Sequence, residues 1–267
     1  MRGRLLALES FDAAMNMSID EAISLSVAAE EQPPTLRFYG WRKPTLSLGY
    51  FQKHAESDVY LTAQRCQQAD SDSLEIVRRS TGGGAILHHH ELTYSLSLPL
   101  GDTGPGPREF VYQAVHQSIR DSLARSAVQA RPFRESDQTT DDESERAVGL
   151  LKKTDEAFLC FQRRTSEDLI CNGYKILGSA QRRVRGGVLQ HGSLLLSVSP
   201  WAGVLPGVSE LTNVDINVEE FSLDVANRLG HELTIEFKTG AFSRAEIEAA
   251  DRITNQRYAA AEWTRRR

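Results

Sequence analysis

Three consecutive glycines, Gly82, Gly83 and Gly84, interrupt a stretch that reads as β-strand on both sides: Glu75-Ile-Val-Arg-Arg79 before them and Leu92 to Leu98 after them. No regular element runs through such a triplet, because glycine loses the most backbone freedom on ordering and offers nothing to pack. The chain must turn or approach something closely here, leaving backbone N–H groups free to hold an anion or a carbonyl. Arg79 adds a charge beside the turn. It is no Walker A loop, since the Gly-x4-Gly-Lys-Ser/Thr spacing is missing, and taken alone the triplet fits a plain tight turn equally well.

His88-His89-His90 follows at once. Neighbouring side chains on a strand point to alternate faces and cannot all meet one ion, and no His-Glu-x-x-His spacing follows, so packing or hydrogen bonding beside the turn is the better reading and no metal is expected.

The flanking patterns place this turn in a mixed fold. Met15, Ile19, Ala22, Ile23 and Val27 have helical spacing between Asp12 and Glu30, ahead of Pro33-Pro34. Leu36, Phe38 and Gly40, then Leu46, Leu48 and Tyr50, recur at period two and read as strands paired across Lys43-Pro44. Leu92, Tyr94, Leu96 and Leu98 alternate with polar residues up to Pro99, and Arg108 to Ser126 reads as a second helix. Strand-like segments resume at Phe158 to Phe161, Asp168 to Leu177 and Gly187 to Val198, and a last helix spans about Ser243 to Trp263. The sum is an α+β domain: a largely antiparallel or mixed β-sheet core flanked by helices. At 267 residues the chain is expected to form one domain over 1–267. The Asp, Glu, Ser and Thr-rich stretch 135–146 has nothing to bury and is expected to be an exposed mobile loop.

Composition removes several functions. A net charge of -5 gives no general attraction to nucleic acid, and no run approaches the ~20 apolar residues needed to span a membrane. The apolar stretch Leu5 to Leu8 breaks at Glu9, too short for a signal-peptide core, which implies a cytoplasmic protein. Cys66, Cys160 and Cys171 are an odd number without metal-ligand spacing and start as free thiols. Cys160, between Leu159 and Phe161 in an expected apolar strand, reads by itself as a small buried hydrophobe unless a cation lies beside it to favour the thiolate. Lys175, two residues ahead of Leu177, is expected to share that residue's face, and alone it reads as a solvent-facing lysine. The small residues Gly178, Ser179 and Ala180 mark a second close approach of backbone.

Together these segments resemble the cofactor-transferase family of lipoate-protein ligases, biotin-protein ligases and octanoyltransferases. The resemblance runs from Met17-Ser-Ile-Asp-Glu-Ala22 and Leu36-Arg-Phe-Tyr-Gly-Trp41 through Leu46-Ser-Leu-Gly-Tyr-Phe-Gln52 and Arg78-Arg-Ser-Thr-Gly-Gly-Gly-Ala-Ile-Leu-His88. It continues in Lys175-Ile-Leu-Gly-Ser-Ala-Gln181 and Gln190-His-Gly-Ser-Leu194 to the Tyr258 to Trp263 helix. It implies a lipoate-ligase-like catalytic domain enclosing an activated fatty-acyl group. Arg79, Gly82, Gly83, Gly84, Ala85, Ile86 and Leu87 would line the acyl pocket, Lys175 would contact the acyl carbonyl, and Gly178, Ser179 and Ala180 would flank it.

Cys160 ahead of Gly173-Tyr-Lys175 is similar to the octanoyltransferase branch, in which a cysteine carries the acyl group as a thioester. On that branch, Cys160 takes octanoate from acyl carrier protein, and a lysine of a lipoyl domain or glycine-cleavage H protein then takes it from Cys160, with no cofactor. Two further features favour this branch: the chain stops after the terminal helix, without the extra domain of many ligases, and His89 stands where many ligases have Asp. An ATP-dependent lipoate-protein ligase, needing ATP and Mg, is the first alternative; a non-catalytic binder of acylated carrier or lipoyl domains is the second. The cluster Arg182, Arg183 and Arg185 could steer an acidic partner or simply be a solvated hairpin tip.

Overall fold

The computed structural model describes residues 1–65, 74–100, 108–135, 157–184 and 186–267. Cys66, Arg185 and residues 136–146 of the acidic stretch lie outside the described residues.

An eight-stranded sheet forms the centre, in the order β11-β1-β2-β6-β10-β9-β8-β7. Its strands are β1 (Arg2–Phe11), β2 (Thr35–Trp41), β6 (Glu91–Pro99), β7 (Arg131–Pro132), β8 (Leu169–Cys171), β9 (Tyr174–Val184), β10 (Gly187–Leu195) and β11 (Glu236–Gly240). The two pairings made by β1 are parallel and the other five antiparallel. A smaller sheet stands beside it, β4-β3-β5, from β3 (Thr45–Leu48), β4 (Glu75–Arg78) and β5 (Ile86–His88). The fold is thus α+β with a mixed sheet, as expected.

Helix α1 (Ala13–Ala28) starts where Asp12 caps it by accepting from the Met15 N–H at 2.9 Å, and it buries Ile19, Ala22, Ile23 and Val27. It packs against α6 (Arg244–Ile253), while α3 (Arg108–Arg125) and α5 (Val218–Leu233) join the sheet in the largest apolar cluster. Helices α2 (His54–Arg65), α4 (Val208–Thr212) and α7 (Ala261–Thr264) are the remaining α-helices of the described residues.

Four expectations need correction. The segments around Leu36 and Leu46 are strands but do not pair: β2 hydrogen-bonds to β1 and β6, β3 to β4 and β5. Period two identifies a strand; it carries no information on its partner. Asp168 to Leu177 is a hairpin, β8 and β9, turned at Asn172-Gly173 with φ of 47° and 82°. The terminal helix breaks into α6, a π-helical turn at Thr254–Tyr258, and α7. Cys160 lies in no strand: Cys160–Gln162 is a single 3-10 turn, because Leu159 and Phe161 bury themselves against the small sheet instead of extending a ladder.

Candidate active site

The Cys160 turn is fixed to the glycine loop by backbone. Leu159 bridges Ala85 in parallel, the Cys160 N–H donates to the Ala85 carbonyl at 2.7 Å, and the Ala85 N–H donates to the Phe158 carbonyl at 2.9 Å. A Cβ on Gly84 would lie 2.9 Å from the Cys160 nitrogen and 3.0 Å from its Cα, so a side chain there would push the cysteine away. The third glycine of the triplet therefore admits a second strand of chain.

Lys175 reaches the same place through an irregularity in β9. Ile170 pairs with Lys175 and Leu169 with Leu177, so Ile176 is an extra residue without an opposite number. Directly paired residues share a face and Leu169 and Ile170 point oppositely; Lys175 and Leu177 therefore point oppositely too, against the expectation from strict alternation. Lys175 instead shares a side with Gly178, where a Cβ would sit 2.6 Å from Lys175 Cε. Its Nζ lies 2.8 Å from Asp168 Oδ2, and it donates to the carbonyls of Arg163 at 3.1 Å and Cys160 at 3.3 Å. Cys160 Sγ is 3.8 Å away. Asp168, Arg163 and Cys160 thus match the three N–H donors of an ammonium. Lys175 and Asp168 are both buried, and Asp168 Oδ2 also accepts from the Thr165 N–H at 2.7 Å.

Arg79 holds the glycine loop from beneath. Its Nη1 donates to the Ser47 carbonyl at 2.7 Å, and its Nη2 donates to the carbonyls of Gly82 at 3.0 Å and Gly84 at 2.6 Å. Nε, also buried, has no partner among the described residues. Burial pulls the guanidinium down to about 10, opposed by the nearby Cys160 sulfur, so Arg79 stays cationic at neutral pH.

Arg79, Gly82, Gly83, Ile86, Cys160, Gly178, Ser179 and Ala180 line one cavity. Gly84, Ala85 and Leu87 do not: Gly84 abuts Cys160, and Ala85 and Leu87 are buried in the cluster around Phe161 and Trp201. Lys175 stands behind Cys160. The Ser179 hydroxyl is already engaged, 2.6 Å from the Tyr94 hydroxyl and 2.7 Å from His116 Nε2.

Two histidines, His88 and His191, stand in the cavity wall. His191 Nε2 is hydrogen-bonded to the Thr81 hydroxyl at 2.6 Å, and its Nδ1 is 3.7 Å from Asp20. Burial raises the Asp20 carboxyl, but His191, Arg37 and Tyr39 outweigh it and hold the group below the ordinary carboxylate range. His88 is bonded to Ser47 at 2.8 Å and Glu91 at 3.1 Å and stacks on Trp41. Burial lowers its pKa, against the pull of Glu91. His89 and His90 turn elsewhere, to Ser199 and the Val198 carbonyl, and no group of three potential metal ligands occurs among the described residues. His88 has both ring nitrogens hydrogen-bonded, and His191 has its Nε2. With Met17 and Ile86 also in the wall, the cavity offers an aliphatic chain few unsatisfied polar atoms. Asp168 is the clearest omission; its signal was a carboxylate seven residues before the lysine on the opposite arm of an Asn-Gly hairpin.

Residues 12–201 match the family described as the lipoyl protein ligase A/B catalytic domain. The octanoyltransferase LipM of Kyrpidia tusciae is 32% identical over 289 residues, covering 99% of this chain and 98% of the relative. That of Moorella thermoacetica is 32% identical over 286 residues, with coverage of 99% and 98%. The fold is similar to that of a bi-partite lipoate protein ligase of Thermoplasma acidophilum (TM-score 0.71, 22% identity, covering 99% of this chain and 96% of that one). It is similar also to a lipoate-protein ligase A bound with ATP (TM-score 0.71, 23% identity, covering 99% of each chain). The glycine loop, the Cys160 turn and the lysine strand all lie within the matched residues, and the chain belongs to the lipoyl protein ligase A/B catalytic-domain family.

Proposed function

We propose that the protein is an octanoyltransferase of protein lipoylation that carries the acyl group on Cys160. The observation that supports this most is the 3.8 Å approach of Lys175 Nζ to Cys160 Sγ at the wall of a cavity suited to an alkyl chain. The name of the full-length relatives points the same way.

The reaction has two steps. Cys160, as its thiolate, attacks the thioester carbon of octanoyl-carrier protein and expels the carrier thiolate, which takes up a proton. The ε-amine of a lysine on a lipoyl domain or glycine-cleavage H protein then attacks the Cys160 thioester, forms the amide, loses its proton and releases the Cys160 thiolate. Each step passes through an oxyanion. Arg79 lines the cavity and its buried Nε–H has no partner among the described residues, so it is the donor proposed for it, worth about 3 kcal/mol if it behaves as oxyanion-hole donors elsewhere do. Asp168 positions Lys175. The mechanism uses the residues of this one chain in the cytoplasm and calls on neither ATP nor metal.

The test is an incubation with octanoyl-carrier protein without ATP, read by intact mass. A gain of one octanoyl group in wild type, lost in Cys160→Ala at unchanged melting temperature and followed by transfer to a lipoyl domain, is the expected result. Transfer that needs ATP and survives Cys160→Ala would establish a ligase instead. A chain that modifies nothing under either condition would be a binder.

A further inference from the structure

Beside the glycine loop the surface carries a cluster of cationic side chains that form no ion pair with an Asp or Glu side chain among the described residues. The segment after α7 lies along the loop that follows β3. Trp263 Nε1 donates to the Arg78 carbonyl at 2.8 Å, Arg78 Nε donates to the Thr264 carbonyl at 3.0 Å, and the His54 N–H donates to the main-chain oxygen of Arg267 at 2.7 Å. This sets the exposed Arg265, Arg266 and Arg267 next to Lys53. The Arg266 guanidinium lies 4.4 Å from the Tyr50 ring centre and 4.6 Å from that of Trp263, and Arg267 is 5.3 Å from the ring of Phe51. Glu56 and Glu262 are the acids nearest in sequence, and among the described residues none of the four forms an ion pair with an Asp or Glu side chain; Asp58 pairs with His54 instead. Burial, then the charges of Arg266 and Arg267, lower the pKa of Arg78 beneath them. In a chain of net charge -5, such a surplus is not a product of composition.

An apolar group stands among these cations, at the rim of the cavity. Phe51 is 67% exposed, and a Cβ on Gly82 would lie 3.9 Å from its ring. Gln52 ties the same loop inward: its Oε1 accepts from the Gly49 N–H at 2.9 Å and its Nε2 donates to the Phe158 carbonyl at 3.1 Å, two residues before Cys160.

We propose that Lys53, Arg265, Arg266 and Arg267, around Phe51, form the docking surface for the donor, an acidic carrier protein that delivers its acyl thioester on a flexible arm. This rests on the octanoyltransferase reading and adds where the donor binds. Charge complementarity selects an acidic partner, and the rim position lets an arm enter past Gly82 while the body of the carrier stays outside. The acceptor is the poorer fit, because its lysine arrives as an ammonium and four cations at the entrance repel it.

The test compares wild type with Lys53→Glu/Arg265→Glu/Arg267→Glu, which leaves the stacked Arg266 in place. Thioester formation on Cys160 is measured with three donors: octanoyl-carrier protein, octanoyl-CoA and phosphate-free octanoyl-pantetheine. At low salt the variant is expected to lose roughly tenfold or more in kcat/KM with the carrier. Both small donors and the KM for the lipoyl domain should be unchanged, which also shows that the variant is folded. An equal loss with all three donors, a loss with octanoyl-CoA equal to that with the carrier, or a loss confined to the acceptor would each overturn the proposal. Should wild type take no octanoyl from the carrier, the functional reading fails by itself. Anisotropy with labelled, unacylated carrier protein still decides the surface, and equal binding to wild type and variant rejects it.

Discussion

Along β6, Leu92, Tyr94, Leu96 and Leu98 turn to one face of the sheet and Glu91, Thr93, Ser95 and Ser97 to the other, and all eight are buried. On the first face they meet α3 and α5 in an apolar cluster whose stability comes from area removed from water, with little dependence on direction. On the second, the groups are joined atom to atom: Ser95 donates to Asp20 at 2.8 Å, Thr93 to Glu91 at 2.6 Å, and Ser193 also to Glu91. One strand thus serves two physical regimes. The apolar face tolerates exchange of similar shapes, whereas the polar face costs free energy whenever one partner is lost, and that strictness holds the cavity wall in one shape.

The contrast breaks most severely at Lys175 and Asp168. Asp168→Leu strands a buried ammonium and is expected to cost about 3–5 kcal/mol in denaturant melts and to abolish thioester formation. Adding Lys175→Met should restore most of that stability without restoring activity; a double variant no more stable than the single would show that the two are not coupled.

On the apolar face, Leu96→Ala is expected to cost about 2–5 kcal/mol while turnover per folded molecule stays at the wild-type value. A matching drop in turnover would mean that the two faces do not act separately.

The smallest effect belongs to His116, a polar group set into the apolar side. Burial pulls its imidazole down to about 3, and Lys175 adds to the shift against the bond to the Glu167 carbonyl. From about pH 6.5 down to that value the unfolded chain holds a proton that the native state lacks, so stability falls as pH falls, by up to about 1.4 kcal/mol per pH unit. His116→Gln should remove this component. Its stability relative to wild type is expected to be constant above pH 7 and to rise steadily towards pH 5, and curves that stay parallel throughout would refute the assignment.

Much of this architecture was legible because local pattern and burial agree. The helix after Asp12 and the alternation from Leu92 to Leu98 could be read directly, since each buries the stripe its period marks. Helix α5 and strand β11 were passed over, although Phe221, Val225, Leu229 and Leu233 recur every four residues behind the capping Asn217. β11 is mostly exposed and has no period to detect. Cys160 and Lys175 were individually unremarkable; the order of the surrounding motifs singled them out, and the tertiary fold put them 3.8 Å apart. Asp20 and Glu91 could not be ranked in advance, because a carboxylate in sequence does not announce whether it will be buried beside a cation.

Ile176 has a consequence for how this site is read in other chains. On a strand, facing is a question of parity, and the one unmatched residue changes parity once, placing Lys175 on the side of a glycine three positions away. A straight strand would put the same lysine and glycine together with one intervening residue instead of two. Lys-x-x-Gly is therefore the imprint of a bulge, and Lys-x-Gly on a regular ladder would build the same wall. A pattern search holding the spacing fixed would discard such a chain, and replacing side chains one at a time here would leave the counting untouched. Only a one-residue insertion or deletion interrogates it.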